Sequence, residues 1–298
     1  MTAAWLFAFC AAGSAAAPQR PPVFGAEIGV VVLQATVHNR RGEPVVGLPR
    51  QAFTVFENGD RQAITIFRSG DTPVSLGILL DNSRSMRGKR EAAEAAALAA
   101  LRGSRPGDEA FVMNFADKAR LDVPLTADRG ALAGGLARRD SIGGTALRDA
   151  VARAADYLVE HAARARKVLL VVSDGNDNAS VTRVDALKRT AADHDIAVFA
   201  IAVASRDDPD AARKGRDALE ELTESTGGST HQAWDGVEAD AHGREAALEM
   251  RHFYTIGYAP LDQALDGTYR KLRVVAKGQE AVRVKTRAGY RATPAAVR

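Results

Sequence analysis

Cysteine is almost missing from this chain: the single one, Cys10, lies within the first ten residues. That excludes a disulfide framework and a thiolate metal site for everything downstream, so stability has to come from packing. No run of five or six like charges occurs, and the formal net charge of +3 is spread along the chain. Neither a nucleic-acid arm nor a polybasic membrane patch is expected, and nucleic acid is excluded as a partner. No apolar run reaches the roughly 20 residues that a bilayer needs, so no transmembrane segment is expected beyond an N-terminal targeting sequence. The six histidines are scattered, without an H-x-x-x-H or H-E-x-x-H pair, and read as surface or capping residues. G-x-S-x-G, Walker and G-x-G-x-x-G patterns are absent. The "DGNDN" stretch lacks an EF-hand glutamate, because Asp185 stands twelfth when counting from Asp174.

What remains is an ordinary globular composition, 46% apolar and 26% charged, in 298 residues, enough for two modest domains. The chain opens "MTAAWLFAFCAAGSAAAPQRPP". A short apolar stretch followed by Ala15 and Ala17 in an A-x-A arrangement before Pro18 reads as a secretory signal peptide over residues 1–20, although no Lys or Arg precedes it. The expected location is therefore exported, periplasmic or extracellular. A lipoprotein reading of Cys10 fits less well, since Phe9 occupies the position of a small residue.

From residue 27 to 67 the pattern is strand, turn, strand: "IGVVVLQATVHN" is β-branched, "RRGEP" is a turn cluster, and "NGD" within "AFTVFENGDRQAITIF" is a hairpin signal. From Val74 to about Trp234 the texture changes. "VSLGILL", "EAFVMNF", "KVLLVVS" and "IAVFAIAVA" are strands apolar on both faces, alternating with helical stretches such as "KREAAEAAALAALRG", "TALRDAVARAADYLVEHAARA" and "RVDALKRTAADH". This predicts an α/β domain with a doubly wound, mostly parallel sheet. After a helical stretch at "GREAALEMRH", β texture returns in "FYTIGYAP", "YRKLRVVAK" and "AVRVKTRAGYR". Neither flank alone has enough strands for a two-layer core, so the flanks are expected to pair into one β-sandwich with the α/β domain inserted; two separate β extensions are the alternative. The expected divisions are 24–70 and 239–292 for the sandwich, the latter including a linking helix, and 72–238 for the α/β domain.

In an open parallel sheet, ligands bind beyond the carboxyl ends of the strands. Asp81 lies at such an end, followed by Ser83 and Ser85; Asp174 lies at another, in "VVSDG"; and Thr145 opens a helix after Gly143 and Gly144. All five are hard oxygen donors, which suits Mg²⁺, Mn²⁺ or Ca²⁺ and argues against zinc or copper. Each has a plainer reading, as a helix cap for Ser85 and Thr145 or a turn residue for Asp174. Their order and placement together favour a metal site.

The D-x-S-x-S stretch "DNSRS", the Gly-Gly-Thr loop and "SDG" resemble the metal-ion-dependent adhesion site of von Willebrand factor A domains. "GLPRQAFTVFENGDRQAI", "YTIGYAP", "DGTYRKLRV" and "RAGY" extend the resemblance to exported bacterial proteins that carry such a domain between β-rich flanks, over roughly residues 27–291. The resemblance implies that Ser83, Ser85 and Thr145 contact the cation, that Asp81 and Asp174 act mainly through water and the serine hydroxyls, and that an acidic side chain of a partner protein completes the shell. Arg84, Asn176 and Asp177 are rim candidates for partner binding, while Asp177 and Asn178 otherwise read as solvated loop residues. The function so implied is non-enzymatic, cation-dependent protein binding in adhesion or assembly. A structural envelope subunit with an internally occupied site, and a magnesium-dependent hydrolase, are the alternatives.

Overall fold

Strand pairing brings the two ends of the chain together. The computed structural model describes residues 29–137, 143–278 and 281–293; the stretch read as a signal peptide lies outside the described residues. The N-terminal flank forms β1 (Val31–His38), β2 (Phe53–Glu57), β3 (Asp60–Gln62) and β4 (Ile64–Asp71). In the central unit, β5 (Val74–Asp81), α1 (Arg90–Arg102), β6 (Glu109–Phe115), β7 (Ala119–Thr126), α2 (Arg129–Leu136), α3 (Leu147–His161) and β8 (Arg166–Ser173) come first. They are followed by α4 (Val184–Asp193), β9 (Ile196–Val203), α5 (Pro209–Thr226), β10 (Thr230–Ala233) and α6 (Gly236–Arg251). The C-terminal flank adds β11 (His252–Tyr258), β12 (Tyr269–Ala276), β13 (Arg283–Thr286) and β14 (Gly289–Arg291).

The central sheet has the order β10-β9-β8-β5-β6-β7, parallel except for β7, which runs antiparallel to β6. Its inner strands are buried on both faces, and that is why their sequences read as continuous apolar runs rather than alternating ones. Ile78, Leu80, Val112, Leu170, Val172 and Phe199 face α1, α2 and α6. Leu79, Phe111, Met113, Leu169, Val171 and Val198 face α3, α4 and α5. Each such side chain taken from water contributes about 1.5–3 kcal/mol. On the first face α1 and α6 approach closely, because Ala96 and Ala99 meet Gly243, where a Cβ would run into the Ala96 carbonyl.

The flanks build two antiparallel sheets, β13-β1-β11-β4 and β14-β12-β2-β3, around one core of Leu33, Val37, Phe53, Val55, Tyr254, Ile256, Leu272 and Val274. Each sheet mixes strands from both flanks, as the sandwich reading requires. The Asn58-Gly59 turn between β2 and β3 has positive φ at both residues, the hairpin geometry that this dipeptide favours. Glu57, buried on β2, accepts hydrogen bonds from Tyr258 Oη (2.5 Å), Tyr290 Oη (2.8 Å) and Arg270 Nη1 (3.0 Å), so one N-terminal carboxylate gathers β11, β12 and β14. The "AVRVKTRAGYR" stretch supplies two strands in different sheets, the change falling at Arg287-Ala288.

Asp71 at the end of β4 pairs with His252 at the start of β11, so both crossings into the central unit lie side by side. Arg251 forms ion pairs with Asp71 and Asp108 at this junction, and Asp108 Oδ1 accepts the Val74 N–H at 3.0 Å. No helix among the described residues is long and apolar enough to cross a membrane.

Candidate metal centre

β5 carries Asp81 to the carboxyl end of the sheet, fully buried between β6 and β8. Asp81 Oδ1 accepts the Ser83 N–H at 2.9 Å, and Oδ2 accepts the Ser173 hydroxyl at 2.5 Å. Burial pushes this carboxyl up to about 6, against the hydrogen bonds from Ser173 and Ser83 that favour the ionised form. The turn that follows sets Ser83 Oγ and Ser85 Oγ 3.1 Å apart. Two oxygens on neighbouring vertices around Mg²⁺, each about 2.1 Å from it, lie about 3.0 Å from one another. The hydroxyl pair fits that spacing.

The second loop is held from below. Gly143, at φ +89°, and Gly144 sit over Asp117, whose Oδ1 accepts the Gly144 N–H at 2.5 Å; a Cβ on either glycine would meet the Asp117 carboxylate. The Gly143 carbonyl accepts the Arg84 N–H at 3.3 Å, tying this loop to the serine loop. Thr145 is buried. Its N–H donates to Asn178 Oδ1 at 2.9 Å, and its carbonyl accepts from Asn178 and Ala179 N–H at 3.1 and 3.0 Å, which ties it to the third loop.

In that third loop Asp174 Oδ2 accepts Lys89 Nζ at 2.6 Å, and Oδ1 accepts the Asn176 N–H at 3.2 Å. Asp174, Ser85, Lys89, Asn176 and Arg148 line an open cleft of about 740 Å³. Asn176 is exposed at its rim, and Arg84 is exposed in the serine turn between Ser83 and Ser85. Asp177 also lines this cleft, half-buried: its Oδ2 accepts the Arg148 N–H at 3.1 Å and Nε at 2.9 Å, and its Oδ1 accepts the Ser180 N–H at 3.1 Å. Asp177 and Asn178 therefore fasten the loops together, Asn178 exposed as the sequence suggested and Asp177 half-buried, because the start of α3 leaves N–H groups that need acceptors.

Residues 76–176 match the family model of the von Willebrand factor type A domain. The central unit has the von Willebrand factor type A fold. All five residues of the candidate centre fall within the matched span. Among solved structures, a von Willebrand factor type A protein from Catenulispora acidiphila is 16% identical with a TM-score of 0.52, covering 81% of this chain and 73% of its own. That likeness shows the fold. An aerotolerance-related membrane protein from Bacteroides fragilis (16% identity, TM-score 0.49) and the conserved hypothetical protein BatB from Bacteroides thetaiotaomicron (18%, 0.49) each cover 59% of this chain and 98% of their own. No curated protein matches the chain in sequence.

Sequence reasoning missed two participants at this edge of the sheet, Asp117 and Lys89. Asp117 could have been found, since "NFAD" ends a strand at the same edge of the sheet as Asp81. Lys89 carries no local signal. The histidines depart from expectation as well: His38 is buried, and His231 and His242 stack with ring centroids 5.2 Å apart. They lie far apart in the chain, so no spacing motif announces them.

Proposed function

We propose that the three loops hold a divalent cation, Mg²⁺ with Mn²⁺ or Ca²⁺ as alternatives, and that the domain captures another protein through an acidic side chain, outside the cytoplasm. The observation that carries this reading is the hydroxyl pair Ser83–Ser85 at 3.1 Å, set by buried Asp81 and hydrogen-bonded through Arg84 to the loop bearing Thr145. Ser83, Ser85 and Thr145 are the direct contacts. Asp81 holds the serine loop through the Ser83 N–H, and Asp174 acts from the cleft side. A bound cation would supply an incompletely neutralised charge for a partner carboxylate, since the contacting side chains are neutral. Arg84, exposed in the serine turn, and Asn176, exposed at the cleft rim, select among partners. The role is non-enzymatic, and the N-terminal 20 residues direct export.

A second reading has one observation in its favour. The Lys89 ammonium already rests on Asp174, which supports a structural envelope subunit whose site is satisfied internally. Affinity capture from envelope and medium in Mg²⁺ and in EDTA separates the two. Partner recovery in Mg²⁺ that disappears in EDTA is expected; equal recovery in both contradicts the proposal.

A further inference from the structure

A second group of ligand-type side chains lies at the β10 edge of the central sheet, near the sandwich. His231 comes from β10; His242 and Glu245 come from α6, three residues apart and so on one helix face. One ligand atom from each lies within 4.8 Å of the others. His242 Nδ1 is 2.8 Å from Glu245 Oε2, and His231 Nδ1 is 3.7 Å from the same oxygen. Ligands of a tetrahedral Zn²⁺ at about 2.0–2.1 Å are separated by about 3.3–3.4 Å, and these two distances bracket that edge.

Behind this group stands Glu249, only 2% exposed. Its Oε1 lies 3.0 Å from His231 Nε2, and its Oε2 accepts the Ser229 hydroxyl. His38 Nε2, reaching across from β1, is 3.3 Å from Oε2 without hydrogen-bond alignment. A buried carboxylate at Nε2 requires the His231 proton there. The Nδ1 atom then faces the Glu245 carboxylate at 3.7 Å, a contact that either a proton on Nδ1 or a metal ion between the two would satisfy. A carboxylate that fixes the tautomer of a histidine from behind is the recurring support of a metal-ligating imidazole.

We propose that His231 Nδ1, His242 Nδ1 and the Glu245 carboxylate form a binding site for Zn²⁺, with Glu249 orienting His231 and the fourth coordination position open to solvent. The donor set is nitrogen and carboxylate oxygen, which suits zinc and separates this site from the all-oxygen loops at the carboxyl edge. Glu245 and His242 are 54% and 27% exposed, so an ion has access from outside. Because His231 and α6 belong to the type A domain and His38 to the sandwich, the site sits where the two units meet.

The test is titration of the full-length chain with Zn²⁺ against a chromophoric chelator, together with the visible absorption of Co²⁺ used in its place. One equivalent bound at micromolar metal or tighter is expected, with the intense bands of four-coordinate Co²⁺. His242→Ala and Glu245→Gln, at a half-buried and an exposed position, should lower zinc affinity at least about tenfold and abolish the Co²⁺ bands with an unchanged far-ultraviolet circular dichroism spectrum. Asp81→Ala should leave zinc binding in place. The proposal is overturned if the wild type takes up no zinc at a free metal concentration about 100-fold above the micromolar dissociation constant expected, which would fill such a site almost completely. It is also overturned if the His242→Ala/Glu245→Gln double variant binds as the wild type does, or if Asp81→Ala removes the zinc.

Discussion

Lys89 Nζ donates to Asp174 Oδ2 at 2.6 Å, placing an ammonium in the cleft beside the residues proposed to hold a divalent cation. The lysine is the residue just ahead of α1, close enough to the D-x-S-x-S turn that it cannot withdraw far while the helix stays formed. Its charge opposes a second cation nearby. Lys89→Met should therefore tighten Mg²⁺ binding by about three- to tenfold, a modest range because the lysine is partly solvated and salt screens it. Calorimetric titration reads this directly; weaker binding in Lys89→Met would mean that the lysine helps to assemble the site.

Removing the groups beneath the serine turn should have a different outcome. Asp81→Ala deletes the acceptor for the Ser83 N–H and the Ser173 hydroxyl, leaving both buried donors without their partner. It is expected to abolish Mg²⁺ and partner binding and to cost about 1–3 kcal/mol of stability. Ser83→Ala should lose binding alike while changing stability by less than about 1 kcal/mol, since the hydroxyl serves the site rather than the core. Urea denaturation beside titration separates these effects. Retained partner capture in Asp81→Ala would reduce the stretch to a strand running into a turn.

At the far side of the molecule, the Glu57 carboxylate meets Arg270, Tyr258 and Tyr290 in the sandwich interior. Glu57→Ala removes the buried carboxylate partner of Arg270 and leaves it the exposed Asp262 carboxylate at 3.1 Å, so a loss of up to about 3 kcal/mol is expected, the low end for breaking a buried pair. The loosening should reach strands of both flanks at once, because every partner of Glu57 named here comes from the other end of the chain. Hydrogen exchange across β2, β12 and β14 checks this; a change confined to β2 and β3 would contradict it.

Acid should release the loop that follows Asp174. Asp149 accepts the Val181 and Thr182 N–H groups at 3.1 and 2.8 Å. Burial raises this carboxyl, but the hydrogen bonds from Thr182 and Val181 outweigh it and hold it below the usual carboxylate range. A folded-state pKa lowered in this way adds stability that is present above the unfolded value of about 3.9 and is lost as pH falls through the folded one. The Val181 and Thr182 amides should thus gain exchange only below about pH 4, and Asp149→Asn should show that looseness already at neutral pH. Amide exchange followed by nuclear magnetic resonance gives the answer.

The strands buried on both faces were legible because apolar residues fill most of their positions, with hydrogen-bonded exceptions such as Ser75, Asn114 and Ser173, and two of the three loops were legible because they follow such strands. β7 escaped notice: Arg120, Asp122 and Pro124 interrupt its pattern, which an antiparallel edge strand tolerates and a central one does not. β10, with the sequence Thr-His-Gln-Ala, is short and polar, and its pairing to β9 comes from tertiary contact alone. Lys89 over Asp174 and His38 beside Glu249 are meetings between side chains 85 and 211 residues apart. No local pattern encodes a distance of that kind.

The register partnership of Asp71 with His252 has a topological consequence. Residues directly opposite in an antiparallel ladder have Cα atoms about 4.5–5.5 Å apart, a gap that a two-residue reverse turn closes. The intervening type A domain is thus a side loop on an otherwise continuous hairpin of β4 and β11. Removing or replacing the central domain at this one point would leave the strand order of the sandwich unchanged.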